Sequence, residues 1–388
     1  MLRKLIIVML CIAMLGSIAI GCKATEEAVE EEAVEAVEVE AVEEEAVEAV
    51  EEEAAGVDLT QMSVGFVNAG PDDYYAQFGD VFKAMAELYG MEVTEVNSDY
   101  NPEKELANVQ DLIAKGVDAI AVITVGSAGS AATIEAANEA DVPIFFIAGK
   151  PEILPGNDLQ GHVTDNFVIM GYQVGKWVID NVEDPVCVNI PGFLGQGTAE
   201  GEIVGFDLAL TEAGLEPAYL TKSSEWQTTL AIPIVEDLLV SGREFNVIFA
   251  CNEETAVGVN TVFKEQNVTD KIMISCNGKE LGWEMIENGD MAATSPNPPS
   301  LNADLSVQQI VKYLTGEDFL QYLQIMPWDV LTIDNLDKAI PWITADYLAG
   351  REANDFEWEL SFYEESYTNN ADVFVDFDAK LVEYLESH

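Results

Sequence analysis

From Met62 onward, short apolar runs alternate with longer amphipathic segments. "MSVGFVNAG" has the unbroken apolar character of a strand buried on both faces. In "YAQFGDVFKAMAELYG", Phe78, Val81, Phe82, Met85 and Leu88 recur at helical spacing, and Gly90 stops the helix. "MEVTEVNS" reads as a second strand. "NPEKELANVQDLIAKG" reads as a helix opened by Asn101 and Pro102, closed by Gly116, with Leu106, Val109, Leu112 and Ile113 on one stripe. The strand "VDAIAVITV", the helix "SAATIEAANEAD" and the strand "VPIFFIAG" follow. The rhythm then repeats: strand "DPVCVNIPG", helix "AEGEIVGFDLALTEAG", strand "LEPAYLTKS", helix "AIPIVEDLLVSG", strand "FNVIFACN", helix "EETAVGVNTVFKEQN", strand "KIMISCNG". Apolar strands separated by helices predict parallel sheets covered on both faces. Two such runs predict an α/β protein of two Rossmann-like, doubly wound lobes, each of roughly 130 residues.

In doubly wound sheets, ligands gather beyond the carboxyl ends of the strands. The residues there are rich in amides: Asn68, Asn252, Asn277 and, after a short strand, Asn297. Tyr74, Tyr75 and Trp226 join them. Carboxamides both donate and accept, and ring faces take C–H surfaces, a pairing that suits a hydroxyl-rich small molecule. Taken singly, each Asn also reads as a turn or helix cap.

The segment before this body changes the picture. Arg3 and Lys4 precede an apolar run, Leu5 to Ile20, that is short for a membrane span of roughly twenty residues. It ends in Ala19-Ile20-Gly21-Cys22, which resembles a bacterial lipobox with Ala19 where Leu is usual. The reading is a signal of residues 1–22, with Cys22 as the site of lipid attachment. An uncleaved membrane anchor is the alternative. Residues 23–58 are almost all Glu, Ala and Val, and "EEEAVEAVE" occurs twice within them. Like charges at i,i+3 and i,i+4 with no lysine after Lys23 to offset them repel, and no apolar side chain larger than Val is present to build a core. This stretch reads as a solvated tether, of which about thirty residues would span on the order of 100 Å fully extended.

The chain has 71 acidic and 17 basic residues, a formal charge of −54, and the body is acidic even without the tether. Such a field repels nucleic acid and anionic lipid surfaces. Setting aside Cys11 and Cys22, the cysteines are Cys187, Cys251 and Cys276, each in or beside an apolar run and read as small buried hydrophobes. With two histidines, His162 and His388, no cluster has metal-ligand spacing, so neither metal nor cofactor is expected. Gly195, Gly197 and Gly201 imitate a dinucleotide loop, but the third comes one residue late. "GSAGS" lacks the order of a nucleophile elbow. No catalytic residue is assigned.

At "NPEKELANVQDLIAKGVDAIAVI", and again at "GHVTDNFVIMGYQVGKWV", "VIFACNEETAVGV" and "GDMAATSPNPP", the body resembles the type 1 periplasmic binding proteins, in the sugar-binding branch that includes ribose-binding protein. The resemblance runs from about Met62 to about Gly316. It implies three hinge crossings, the first near Thr164–Asn166 and the second near Pro296–Pro299. The lobes would then be 59–164 with 298–325, and 165–297 with about 326–345, leaving 346–388 as an acidic, aromatic extension without a family counterpart.

The resemblance also implies site residues. Tyr74 and Tyr75 fall near paired aromatics that sandwich the sugar, and Trp226 falls on the third aromatic. Asn252 matches the amide of an Asn-Asp-Glu motif, Asn277 stands where Asp is usual, and Asn297 matches a Gln. Asn166 lies at the first crossing, and Glu200 is the nearest match to a sugar-binding Arg. Ala148 and Gly149 replace an Asp-Arg pair, with Lys150 beside them as an alternative charge. The implied role is capture of a sugar, polyol or nucleoside-like ligand for an ABC permease, by a protein lipid-anchored in the periplasm or on the outer face of the membrane. A sensor presenting ligand to a receptor kinase or chemoreceptor would share the fold.

Overall fold

The computed structural model describes residues 57–325 and 329–387; the leader, Cys22 and nearly all of the Glu-rich run lie outside the described residues. The first sheet contains β1 (Ser63–Asn68), β2 (Glu92–Asn97), β3 (Ala119–Val122), β4 (Ile144–Ile147), β5 (Gly161–Asp165) and β11 (Tyr322–Ile325). Its strands run in the order β11-β5-β4-β3-β1-β2, all parallel. Helices α1 (Asp73–Leu88), α2 (Pro102–Lys115), α3 (Ser127–Glu139) and α9 (Pro299–Thr315) cover it.

The second sheet contains β6 (Cys187–Ile190), β7 (Tyr219–Leu220), β8 (Val247–Ala250), β9 (Ile272–Asn277) and β10 (Ala293–Pro296). Its order is β10-β9-β8-β6-β7, again all parallel. Its helices are α4 (Phe167–Asn181), α5 (Thr198–Glu212), α6 (Thr228–Val240), α7 (Glu253–Glu265) and α8 (Glu280–Glu287). The fold is therefore two doubly wound, parallel-sheet α/β lobes.

Local chemistry accounts for the elements. The Asn101 side chain accepts from the Lys104 N–H at 2.8 Å, Pro102 occupies the first turn of α2, and Gly116 closes it in the left-handed region at φ 82°. On α1, Phe78, Val81, Phe82 and Met85 are fully buried, with the Phe66 and Phe82 rings stacked at 4.5 Å. Leu88, expected on the same stripe, is instead 51% exposed, and Ala86 takes the inward place in the last turn. The strand read in "LEPAYLTKS" shrinks to two exposed edge residues, Tyr219 and Leu220. Helices α4 and α5 pack almost backbone to backbone: a Cβ on Gly205 would stand 1.8 Å from the Val168 carbonyl oxygen.

The chain passes between lobes after β5, again after β10, and again between Ile325 and Leu331. Leu331 makes an antiparallel bridge with Thr294 of β10. The chain then returns to the first lobe, where Ile340 and Tyr347 join its core. Helix α10 (Thr344–Ala353) leads to α11 (Leu360–Ser387), an amphipathic helix about 42 Å long at ~1.5 Å per residue.

Helix α11 touches both lobes. Leu360 and Tyr363 lie in the first lobe's core, and Glu364 accepts from the Leu320 N–H at 2.8 Å. Farther along, Phe377 stacks edge-on against Tyr172 of α4 at 5.3 Å. Asp378 accepts from Gln324 at 2.9 Å and pairs with Lys150 at 3.5 Å.

Candidate functional site

Each sheet reverses its order around its first strand, so the loops after β1 and β3 part, as do those after β6 and β8. Crevices open at those switch points. Here they face one another across a cavity of about 170 Å³. The first lobe contributes Tyr74 and Tyr75 from the start of α1, Ile123 and Thr124 from the end of β3, and Ala148 and Gly149 from the end of β4. The second contributes Gln196, Trp226, Asn252 and Asn277, and Asn297 enters from the second crossing.

The rings are held at right angles by packing. Tyr74 stands edge-on to Tyr75 at 5.3 Å and to Trp342 at 5.5 Å, with its hydroxyl donating to the side-chain amide oxygen of Asn297 at 3.5 Å. Burial raises the phenol of Tyr74 well above its ordinary value, and that of Tyr75 likewise, so both remain hydrogen-bond donors at neutral pH. Trp226 sits in the left-handed region at φ 63°, and its ring lies over Gly192, where a Cβ would come within 2.2 Å of the indole carbons. A backbone without a side chain is what lets the ring lie flat there.

Acidic groups reach the same cavity. Asp72 caps α1, accepting from the Tyr75 N–H at 3.2 Å and from the Tyr100 hydroxyl; burial raises its carboxyl above the usual value. Glu254 accepts from the Asn252 amide at 2.7 Å and from the buried ammonium of Lys279, which also meets Asp73 of the opposite lobe at 3.2 Å. Burial alone would lower the Lys279 value, but the carboxylates of Glu254 and Asp73 more than offset it and hold it charged. Gln196 ties the lobes a second time, donating to the Val125 carbonyl at 3.0 Å and bonding Tyr75. The cleft is thus closed in this structure.

Of the residues named from sequence, Tyr74, Tyr75, Trp226, Asn252, Asn277 and Asn297 line one cavity. Asn68, Asn166 and Glu200 are outside its lining. Asn68 donates to the Tyr75 carbonyl at 2.8 Å and to Glu95 at 3.0 Å. Asn166 caps α4 and donates to Gln324 at 2.7 Å. Glu200 accepts from the N–H groups of Gly195 at 2.6 Å and Gly197 at 3.1 Å. That carboxylate fills the donors a phosphate would need in a dinucleotide loop, a physical reason against that reading. Lys150, the alternative charge, turns away to Asp378 of α11.

Sequence reasoning missed Trp342, Gln196, Glu254 and Asp72 as lining residues. Adjacent acids such as Asp72–Asp73 and Glu253–Glu254 are usually solvated turns, but here Glu253 is fully buried. Trp342 lies in a stretch with no repeating period to place it.

Cys187, Cys251 and Cys276 are free and buried, and burial raises the thiol of each. Among the described residues no group of His, Cys, Asp or Glu is placed to hold a metal ion.

Comparison with known proteins places this geometry. The periplasmic binding protein domain family matches residues 64–318. The ribose import binding protein of Haemophilus influenzae is 24% identical over 248 residues, which cover 63% of this chain and 82% of that protein. The arabinose ABC transporter's periplasmic binding protein from Shewanella sp. ANA-3, solved with L-arabinofuranose, has a TM-score of 0.66 at 21% identity, covering 76% of this chain and 97% of that one. The fructose-binding periplasmic domain of a hybrid two-component system has the same TM-score, 0.66, at 17% identity, covering 76% and 96%. At those identities the solved structures speak for the fold alone; the family match spans well over half of the sequence. The chain belongs to the periplasmic binding protein family.

Proposed function

We propose that the protein captures a small hydroxylated molecule, a sugar or sugar-like polyol, between its lobes and delivers it to an ABC permease. The convergence of Tyr74, Tyr75 and Trp226 with the carboxamides of Asn252, Asn277 and Asn297 on one cavity carries this reading. Rings cover the C–H faces of such a ligand, and amides pair with its hydroxyls. The ribose import relative supports the ligand class.

The Asp-Arg pair implied by the resemblance is absent, and acidic groups with one paired lysine stand in the cleft instead, so selectivity among sugars differs from that of the ribose binders. A site that hydrogen-bonds hydroxyls rejects analogues that leave its buried groups unpaired, at about 1–3 kcal/mol each. Delivery follows from closure: a surface that changes when the lobes close lets a permease distinguish loaded from empty protein. Diacylation of Cys22 would hold the protein at the membrane, each buried CH₂ of the acyl chains contributing about 0.8 kcal/mol.

The experiment is a thermal-shift panel of monosaccharides, polyols and nucleosides on the purified protein. Binding to the folded state alone raises the melting temperature by mass action. A rise with at least one sugar or polyol is expected, and no rise across the panel counts against the ligand class. The second reading, a tethered sensor, draws on the two-component neighbour. A histidine kinase gene beside this one favours sensing; permease and ATPase genes favour import.

A further inference from the structure

Trp342 lies beyond the stretch that the family matches, which ends at residue 318, in the segment that returns to the first lobe after the third crossing. It is 2% exposed, yet its ring lines the cleft beside Tyr74. The segment is fixed from both sides. Ser300 of α9, in the first lobe, donates to the Pro341 carbonyl at 2.6 Å, and the Trp342 N–H donates to Glu280 of α8, in the second lobe, at 2.9 Å. The Lys279 ammonium stands 5.8 Å from the centre of the indole ring.

One polar atom of this residue is left over. The indole Nε1–H finds no acceptor among the described residues. A buried donor without a partner is costly, about 1–3 kcal/mol, and the large majority of buried polar groups are paired. Indole N–H groups donate only, so the missing partner must be an acceptor. Acceptors do stand nearby, the Tyr74 hydroxyl and the Glu280 carboxylate among them, but none bonds Nε1. The ring lines the cavity, so a molecule bound there can bring the missing acceptor.

We propose that Trp342 is a ligand-contacting residue: its indole N–H donates to an oxygen of the bound molecule, and its ring forms a further aromatic wall supplied by the segment beyond the family match. This rests on the reading of the cleft as a site for hydroxylated ligands. Because Ser300 and Glu280 belong to different lobes, the contact is complete only when the lobes are closed, and Trp342 ties occupancy to closure.

The test uses the full chain, labelled with ¹⁵N at indole nitrogens and titrated with D-ribose, L-arabinose, xylitol and myo-inositol. Trp342→Phe keeps a ring and removes the donor, and also identifies the Trp342 resonance by its disappearance. For whichever of the four binds, the Trp342 indole proton moves on titration, and Trp342→Phe weakens binding by about five- to tenfold while Trp226→Ala weakens it separately. An unmoved Trp342 resonance, or Trp342→Phe within twofold of wild type, overturns the proposal even though the cleft still binds. Should none of the four bind, the ligand class itself fails and takes this inference with it.

Discussion

At the scale of single residues, the cleft depends on places where a side chain is missing as much as on places where one is present. Trp226 lies flat because Gly192 has no Cβ beneath it. Gly192→Ala forces the ring off its seat and is expected to weaken binding of a panel sugar by tenfold or more in a calorimetric titration; unchanged affinity would mean the ring is not a wall of the site. Buried carboxyls make a second prediction. Burial, and then the neighbouring Glu254 carboxylate, push Glu253 up to about 8, while burial pushes Glu105 and Asp165 up to about 7. Values raised on folding mean these groups contribute fully below their ordinary range near pH 4.5 and lose that contribution as pH climbs toward 8. Glu253→Gln, neutral at every pH, should raise the melting temperature at pH 8.5 and leave it nearly unchanged at pH 4.5. An equal effect at both values would contradict the assignment. Of the six rings and amides that line the cavity, Asn252 and Asn277 were readable because they close apolar strands, and the family resemblance also pointed to the tyrosines, Trp226 and Asn297. Asn68, Asn166 and Glu200 were equally prominent in sequence, but one local hydrogen-bond partner each decides whether such a side chain serves the backbone or the cavity, and sequence does not display partners.

At the scale of elements, the regular βα rhythm from β1 to β9 was legible because strands buried on both faces are apolar throughout and their helices carry one apolar stripe. Caps such as Asn101 and Gly116 marked ends as well as interiors. The segments that were not legible are those whose burial comes from distant partners. Strand β11 joins β5 across more than 150 residues, and α11 presents aromatics to two lobes, so neither follows the period of its neighbours. Helix α11 is nonetheless part of the folded body, with Phe374 buried at 1% exposure between its anchors. Phe374→Ala is expected to cost about 3 kcal/mol, read as a lower urea midpoint. A loosely attached tail would leave the midpoint where it is.

At the scale of the whole molecule, two lobes are joined by backbone crossings, by Gln196 to Val125, by Lys279 to Asp73, and by α11 running along both. The cavity exists only because the carboxyl ends of the two sheets face each other, so the tyrosines of one lobe and Trp226 and the amides of the other act on the same small volume. Under the proposed function, closure would complete that volume and change the outer surface, linking capture to delivery. The most direct measurement is a calorimetric titration of the purified protein with the sugar or polyol that gives the largest thermal shift, set beside Trp226→Ala. The account predicts one site per chain for the wild-type protein and at least a tenfold loss of affinity in the variant. Equal affinity in both, or no heat of binding from any sugar or polyol, would contradict it.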